Sequence, residues 1–363
     1  MSFHCEQTAG QDDREFWDSL SARIAGDRVP YYGSLALTHR CNLRCVHCYI
    51  REEGEGDAAG GELDTGHWKR IIDEAGAAGC LNLVLTGGEP LLRTDFAEIY
   101  AHAKRKGFLV TVFTNGTLID GETLALFRDL PPRLVDVSLY GATEDTCRRI
   151  TGSPDSCERA LAAIDAMLAQ GTRVALKSVM MTLNEGEFGA LEALANSRGI
   201  RFRRDASIFP AFSGDRSPLE LRVSPERAVD LELSVPGVIA GWREYLERYG
   251  DVTVPGSIYS CGAGMTTFHI DPFGVLHPCV MARFPRYPLA SGRFADGWSE
   301  MARVRDLQSP PGFRCRDCRM KLACGYCPGF FAAENGSEDI PSDYLCRIGK
   351  LRYERITQAA SGG

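Results

Sequence analysis

The sequence predicts an α/β fold with a parallel sheet, followed by a smaller region that is rich in cysteine. Between Tyr31 and Pro210, six short β-rich runs alternate with stretches of helical periodicity. This alternation is typical of βα units, whose strands pair in parallel. From Tyr259 onwards, cysteine, glycine and proline replace the periodic pattern, so this part has little apolar area with which to form its own core. Six repeats fit either an open, partial barrel or a doubly wound sheet, and their spacing does not choose between them.

Each predicted element has a local signal. The strands are predicted over Tyr32–Thr38, Leu81–Thr86, Phe108–Thr114, Leu134–Tyr140, Val174–Met181 and Phe202–Pro210. Asp64 and Thr65 can cap a helix that runs through Trp68 towards Gly79, and the helix over 160–171 ends on a glycine. A polar, proline-interrupted segment follows, with one helix predicted over Ile239–Gly250. We therefore divide the chain into an N-terminal extension (1–30), a core (31–225), a connecting helical segment (226–255), a cysteine-rich domain (256–350) and a tail (351–363).

Composition and charge exclude several classes of protein. The chain has 363 residues, of which 44% are hydrophobic and 25% charged, and this balance excludes a disordered or collagen-like protein. A net charge of −7 without long basic runs predicts neither a nucleic-acid partner nor an anionic membrane partner. The sequence also lacks a signal-peptide pattern and any apolar run long enough to span a membrane. We expect a cytoplasmic protein.

Three of the fourteen cysteines lie close together directly after the first predicted strand. Cys41, Cys45 and Cys48 have C-x3-C-x2-C spacing, and in a reducing cytoplasm clustered cysteines favour metal binding. A cubane iron–sulfur cluster takes four thiolates. Three thiolates from one loop would leave one iron open to a small molecule, as in catalytic metal sites. A zinc knuckle with His39 or His47 as the fourth ligand is the alternative.

The next three strands each end in a polar or glycine-rich signature. These are TGGEP at 86–90, TNGT at 114–117 and SLYGAT at 138–143. The carboxyl ends of parallel strands meet at one edge, where such folds bind ligands. Glycine lets the backbone approach a ligand closely, and the carboxylate of Glu89 suits an amino group. Each signature alone is an ordinary turn, but together with the cysteine loop they predict one ligand site.

With these motifs in this order, the sequence resembles the radical S-adenosylmethionine (SAM) enzymes over about residues 34–184. The resemblance implies a partial, TIM-like (β/α)6 barrel in which Cys41, Cys45 and Cys48 bind a 4Fe–4S cluster, while SAM chelates the open iron. It also implies a set of SAM contacts: Gly87, Gly88, Glu89 and Pro90 near the amino group, Asn115 and Ser138 at the ribose or carboxylate, and His47 near the adenine. One electron would cleave SAM to a 5′-deoxyadenosyl radical, which abstracts hydrogen from the substrate. Many relatives have Asp where this chain has Tyr140, so no role is transferred to that side chain.

The C-terminal cysteines are similar to the SPASM domain of radical SAM peptide maturases, which binds auxiliary iron–sulfur clusters. The resemblance implies one auxiliary 4Fe–4S cluster on Cys315, Cys318, Cys324 and Cys346, and a second on Cys261, Cys279 and Cys327. The interval between Cys324 and Cys327 is one residue shorter than in the family, which leaves the completeness of the second cluster open. Structural zinc is the alternative, although seven cysteines are one short of two full tetrahedral sites.

The resemblance implies an enzyme that modifies a ribosomally synthesised peptide or protein, by crosslinking or epimerisation. One alternative is a radical SAM enzyme acting on a tetrapyrrole or another cofactor precursor, and another is a non-catalytic, zinc-loaded scaffold. A sulfatase maturase is less favoured, because Val280 stands where that subfamily has its catalytic Asp. No catalytic side chain is assigned. We expect a separate leader-recognition protein, since only about 30 residues precede the first strand, and a low-potential electron donor of the flavodoxin or ferredoxin type.

The cysteines and histidines outside these motifs are expected to have structural roles. Cys80, Cys147 and Cys157 are expected to be packed, His269 and His277 to be structural, and Cys5 to lie in a disordered terminus. The charged residues of the last two predicted strands face either the surface or the mouth of the barrel: Lys177, Arg203, Arg204 and Asp205. Asp136 lies within the fourth strand and has no assigned role.

Overall fold

The computed structural model describes residues 13–50, 61–250 and 256–358. The strands in this part of the chain are β1 Tyr32–Ala36, β2 Asn82–Thr86, β3 Leu109–Thr114, β4 Leu134–Ser138, β5 Val174–Val179, β6 Arg201–Asp205, β7 Thr267–Ile270, β8 Val275–His277 and β9 Tyr287–Pro288. The helices are α1 Asp13–Gly26, α2 Thr65–Ala77, α3 Phe96–Arg105, α4 Gly121–Asp129, α5 Glu144–Thr151, α6 Ser156–Ala169, α7 Phe188–Ser197, α8 Pro225–Leu233, α9 Val238–Tyr249, α10 Phe294–Met301, α11 Pro328–Asn335 and α12 Asp343–Gln358. Short 3-10 helices cover Pro90–Leu92, Ser217–Leu221 and Ala302–Asp306.

The order of the strands decides between the two predicted architectures. The nine-stranded sheet has the order β6-β5-β4-β3-β2-β1-β7-β8-β9, and β1 to β6 all pair in parallel with their neighbours in the chain. A doubly wound sheet reverses its strand order part-way along, whereas a barrel does not. The sheet is not closed, because β1 pairs with β7 and not with β6. The partial (β/α)6 barrel is therefore confirmed.

The six predicted strands are all present, each close to its predicted range. Most end a few residues early, because the residues that follow turn into loops at the carboxyl edge of the sheet. The predicted cap is also present: the Asp64 carboxylate accepts the backbone N–H of His67 at 2.8 Å and starts α2. The helix predicted in the connecting segment is α9. Local sequence signals were sufficient for these elements.

Side chains alternate between the two faces of the barrel strands, as pleating requires. Val110, Val112, Val135 and Val137 are fully buried in the core that the sheet forms with its helices, together with Trp68 of α2. The intervening residues of β3 to β6 point to the other face, towards the inside of the barrel. This inner face includes polar and charged residues and supplies one wall of the site.

The cysteine-rich part is more regular than the sequence predicts. It contributes β7, β8 and β9 to the sheet, with β7 pairing in parallel with β1 and β8 pairing antiparallel with β7. These strands have four, three and two residues, which is too short for a recognisable alternation. Helix α12 also continues to Gln358, past the tail boundary predicted at residue 350, and packs against α8.

A disulfide joins Cys147 of α5 to Cys157 of α6, both of which were expected only as packed thiols. Cys5 lies outside the described residues. None of the helices in the described part of the chain combines the length and the apolar character needed to cross a membrane.

Candidate active site

A cavity of about 1190 Å³ opens at the carboxyl ends of the barrel strands. It is lined by the loop after β1 and by residues at the ends of β2 to β6. Most of the residues predicted from the sequence to bind the first cluster and SAM line this cavity: Cys41, Cys45, Cys48, His47, Gly87, Gly88, Asn115 and Ser138. Glu89 and Pro90 do not line it, although both belong to the same predicted set.

The cysteine loop is held by backbone hydrogen bonds to α5. The N–H groups of Arg44 and Val46 donate to the carbonyls of Thr151 and Ile150, at 2.8 and 2.9 Å. The loop brings Cys41, Cys45 and Cys48 close enough to influence one another electrostatically. Burial raises the pKa of the Cys41 thiol to about 11 and raises that of Cys45 further, and a negative charge on the neighbouring sulfurs adds to both shifts. A metal cation bound among these thiols would stabilise their thiolate forms, so the thiols would lose their protons when the metal binds.

The donor set fits an iron–sulfur cluster. Thiolates are the ligands that such clusters prefer, and each thiolate of a cubane binds a different iron. Around one zinc ion, by contrast, the sulfurs stand only about 3.8 Å apart, since the Zn–S distance is about 2.3 Å. No three His, Cys, Asp or Glu side chains within residues 13–50, 61–250 and 256–358 are placed to hold a single metal ion. The three thiols instead surround one side of an open cavity.

Gly87 and Gly88 let the end of β2 pack directly on the backbone that leads into the cysteine loop. A Cβ on Gly87 would lie 2.2 Å from the carbonyl oxygen of Thr38, and one on Gly88 would lie 2.3 Å from that of Arg40. Gly87 also has a φ of +138°, which side chains rarely adopt. The Gly88 N–H donates to the Thr38 carbonyl at 2.7 Å. The glycines therefore allow close approach to the cysteine loop as well as to the cavity.

Glu89 holds strand ends together and does not meet the cavity. Its carboxylate is fully buried and accepts the Asn115 N–H at 2.7 Å, the Thr114 hydroxyl at 2.8 Å and the Leu91 N–H at 3.1 Å. Burial raises the pKa of Glu89 to about 7, and these hydrogen bonds act against the shift. The expectation that this carboxylate meets an amino group stays a prediction, and in this structure its oxygens accept hydrogen bonds from the ends of β2 and β3. Pro90 is buried at the start of a 3-10 helix.

Asn115 connects β3 to the first cysteine. Its side-chain oxygen accepts the N–H and hydroxyl of Thr117, and its amide nitrogen donates to Asn42 Oδ1 at 2.9 Å. The same nitrogen lies 3.9 Å from the Cys41 sulfur. Asn42 in turn donates to Thr117 at 2.8 Å. Thr117 belongs to the predicted TNGT signature, whereas Asn42 was not predicted, although its position between two cysteines was a usable signal.

His47 and Tyr140 form the wall behind the cysteines. Their rings meet edge to face, with centroids 4.5 Å apart. Burial lowers the pKa of His47 to about 4, so the imidazole is neutral near pH 7. Its Nδ1 atom is buried and has no hydrogen-bond partner among the described residues. The Tyr140 hydroxyl is hydrogen-bonded to Ser138, and burial raises the tyrosine pKa.

The wall next to the end of β4 consists of charged residues from β5 and β6. Lys177, Arg203, Arg204 and Asp205 all line the cavity, but the Arg204 guanidinium pairs with Glu192 of α7 and donates to the Leu231 carbonyl of α8. The barrel-mouth interpretation therefore holds for the other three residues. The Lys177 ammonium lies 3.7 Å above the ring of Phe113, and Arg203 pairs with Asp136 at 2.8 Å. Burial lowers the pKa of Lys177 to about 8.

The C-terminal cysteines fall into two groups. Cys324 interacts electrostatically with Cys315, Cys318 and Cys346, whereas Cys279 interacts with Cys261 and Cys327. Burial raises the pKa of both Cys279 and Cys324 to about 12. This division is the one that the family resemblance implies.

His269 and His277 are both buried and neither lines the cavity. His269 contacts the Ser34 hydroxyl at 3.2 Å, and His277 contacts the Asp271 carboxylate at 3.3 Å. These contacts agree with the structural interpretation of both histidines.

Comparison with known proteins gives consistent results for sequence and fold. Residues 35–195 match the model of the Radical SAM superfamily. The chain is 30% identical over 312 residues to mycofactocin maturase MftC of Mycobacterium ulcerans, covering 83% of this chain and 80% of the relative. It is 27% identical over 346 residues to an AdoMet-dependent heme synthase of Methanosarcina barkeri. This match covers 89% of this chain and 96% of the relative. The structure of Streptococcus suis SuiB bound to the precursor peptide SuiA has the same fold, with a TM-score of 0.70 and 16% identity over 95% of this chain and 83% of SuiB.

Proposed function

The chain belongs to the Radical SAM superfamily, and from that premise we propose that this enzyme modifies a ribosomally synthesised peptide or protein. The observation that carries the proposal is the convergence of Cys41, Cys45 and Cys48 with the ends of β2, β3 and β4 on one cavity. In this proposal the three cysteines hold a 4Fe–4S cluster, and SAM binds against Gly87, Gly88, Asn115, Ser138 and His47. When bound, cluster and SAM supply a one-electron cleavage that yields a radical able to remove hydrogen from the substrate.

The chain's own residues position these groups and shield them. Glu89 fixes the loop that carries Asn115, and Asn115 with Asn42 fixes Cys41. Three phenylalanine side chains line the cavity and limit the access of water: Phe113, Phe209 and Phe273. A substrate carbon held against these walls would lie close to the cofactor motifs.

A peptide substrate has support from two relatives. MftC is named a maturase, and SuiB has been solved with a precursor peptide bound. The heme synthase favours a tetrapyrrole as the second candidate, since this chain covers 96% of that relative. A non-catalytic scaffold has no such support, because these relatives are named as a maturase and a synthase.

We assign the auxiliary clusters to the two C-terminal groups. Cys315, Cys318, Cys324 and Cys346 would hold a complete 4Fe–4S cluster, and Cys261, Cys279 and Cys327 a second one whose fourth ligand is not one of these cysteines. The electrostatic grouping of the thiols supports this division. Of the domain boundaries, we keep the core at 31–225 and extend the cysteine-rich domain from 256 to the end of α12, because Gly349 of that helix packs against Cys324.

The partners and location also remain proposals. A flavodoxin or ferredoxin would supply the electron, and a separate small protein would recognise the leader of the precursor. The cytoplasm would provide both the reductant and the newly made peptide.

The substrate class can be tested with reconstituted enzyme. Short open reading frames near the gene would be translated as peptides and incubated anaerobically with enzyme, SAM and dithionite, in parallel with an iron tetrapyrrole. We expect 5′-deoxyadenosine formation to be coupled to a mass change in one peptide. Coupling to the tetrapyrrole, with every peptide unchanged, would overturn the peptide proposal in favour of the second candidate.

A further inference from the structure

The β5–β6 wall of the cavity carries charge but no cofactor motif. The cysteine loop and the three signature segments follow β1 to β4, whereas Lys177 and Arg203 belong to β5 and β6. In the sheet register, Ser138 pairs with Lys177 and Lys177 pairs with Arg203. All three therefore lie side by side on the inner face and line the cavity. A substrate that lies beside the end of β4 would meet Lys177 and Arg203.

Lys177 presents an ammonium group without an acceptor. The group lies 3.7 Å above the Phe113 ring, and it makes neither a hydrogen bond nor an ion pair with any residue that the structure describes. A lysine ammonium has three N–H donors, and a ring face satisfies them only weakly. Burial also disfavours its charged form, which lowers its pKa to about 8. The donors of Lys177 are thus available to an anion in the cavity.

Three carboxylates lie on or beside these strands, and none of them forms an ion pair with Lys177. Asp136 is buried and its Oδ2 pairs with Arg203 at 2.8 Å, while its Oδ1 has no hydrogen-bond partner in the described parts of the chain. Asp205 accepts the N–H of Ser207 at 2.8 Å. Glu89 acts on Lys177 electrostatically, but its oxygens accept hydrogen bonds from β3 and from Leu91. Asp136 attracts the Lys177 ammonium electrostatically, but its ion pair is with Arg203, so Lys177 has no ion pair of its own among the described residues.

We propose that Lys177, with Arg203 beside it, anchors a carboxylate of the substrate. This inference rests on the proposed function, because the anionic groups of an unmodified peptide are its acidic side chains and its C-terminus. An ammonium and a half-exposed guanidinium on adjacent strands suit the two oxygens of one carboxylate. The substrate would then present Asp, Glu or its C-terminal residue to the β5–β6 wall while the reacting carbon faces the cofactor motifs.

The experiment uses reconstituted holoenzyme loaded with SAM and two small probes, N-acetyl-L-glutamate and N-acetyl-L-glutamine. Binding is measured by anaerobic equilibrium dialysis. We expect the acid to bind and the amide to bind about tenfold more weakly or not at all, since a hydrogen bond to a charged group contributes about 1.5–3 kcal/mol. Lys177→Met should weaken binding of the acid about tenfold or more. Lys177→Arg should keep most of the affinity.

Arg201→Met is the matched control. Arg201 lies on the same face of β6, two residues towards its amino end, and does not line the cavity. Its removal changes the net charge by the same amount as Lys177→Met, so unchanged binding of the acid would exclude a general electrostatic effect. Thermal unfolding and iron content of each variant report on folding.

Three results would overturn the inference. The first is equal binding of acid and amide by the wild type, and the second is unchanged binding of the acid by Lys177→Met. The third is a loss of SAM affinity in Lys177→Met while the acid still binds, which would assign the lysine to the carboxylate of SAM. Binding of the acid and its loss in Lys177→Met would support the subsite even if no peptide proved to be a substrate. Peptide modification without binding of the acid would retain the proposed function and reject the subsite.

Discussion

The carboxylate of Glu89 accepts the backbone N–H of Asn115 at 2.7 Å and so joins the end of β2 to the loop after β3. Asn115 continues the connection to Asn42 and reaches within 3.9 Å of the Cys41 sulfur. Two motifs that are 26 residues apart in the sequence thus form one support for the cysteine loop. Glu89 therefore acts as a structural support for the loop that carries Cys41.

Glu89→Gln should destabilise the metal-free protein. The oxygen of the glutamine side chain can still accept a hydrogen bond. Its NH2 group, however, replaces a Glu89 oxygen that accepts from N–H or O–H donors in the wild type, so at least one of these donors loses its acceptor. Leaving a buried donor unsatisfied costs about 1–3 kcal/mol, which denaturant unfolding can measure. The control is Glu98→Gln on α3, which removes a more exposed ion pair with Lys69 and should cost less than about 1 kcal/mol. Equal stability of the two variants would contradict the buried role of Glu89.

Gly88→Ala should prevent assembly of the first cluster. Its new Cβ would lie 2.3 Å from the Arg40 carbonyl and 2.6 Å from that of His39, so the backbone before Cys41 must shift. We expect the reconstituted variant to lose about four irons, the content of one cubane. Gly189→Ala is the control, since a Cβ there meets nothing within 4 Å. Full iron content in Gly88→Ala would show that the loop tolerates the shift.

The two C-terminal cysteine groups should lose iron independently. Cys324→Ala and Cys279→Ala belong to different groups, so each should remove about one cluster and the double variant about two. Cys80→Ala provides the control, because Cys80 is buried in the barrel core away from both groups. Metal analysis would distinguish the outcomes. Two zinc ions and no iron in the C-terminal part would contradict the assignment.

Binding of an acidic probe should weaken as the pH rises. Lys177 has a pKa of about 8, lowered by burial and by the positive charge of Arg203 and raised by Asp136 and Glu89. Below this pH the lysine is charged and can pair with a carboxylate, and above it the lysine becomes neutral. The affinity for N-acetyl-L-glutamate, which does not titrate in this range, should therefore fall between about pH 7 and about pH 9. Lys177→Arg should show little change, because arginine stays protonated. The same slope in both proteins would assign the titration to another group.

The elements that the sequence predicted well depend on local patterns. The run of β-branched and aromatic residues over Phe108–Thr114 identifies β3, and Asp64 marks the start of α2 within a few residues. The cysteine spacing and the glycine signatures identified the site for a similar reason, since each motif is continuous in the chain. Their convergence followed from the rule for parallel strands.

The parts that were missed depend on contacts between distant residues. Strand β7 exists because it pairs with β1, and its four residues carry no pattern of their own. The inward position of Glu89 depends on donors from β3, which a sequence motif does not reveal. Lys177 could be placed inside the barrel by alternation, but the Asp136–Arg203 pair beside it required the register of β4, β5 and β6.

The most direct test of the central claim is the formation of 5′-deoxyadenosine from SAM by the anaerobically reconstituted, dithionite-reduced protein. The wild type and the Cys80→Ala control should form it, because their cysteine loop keeps all three thiols. Cys45→Ala should form none, since a cluster held by the two remaining thiolates no longer presents a single open iron. Formation at the wild-type rate by Cys45→Ala would contradict the account.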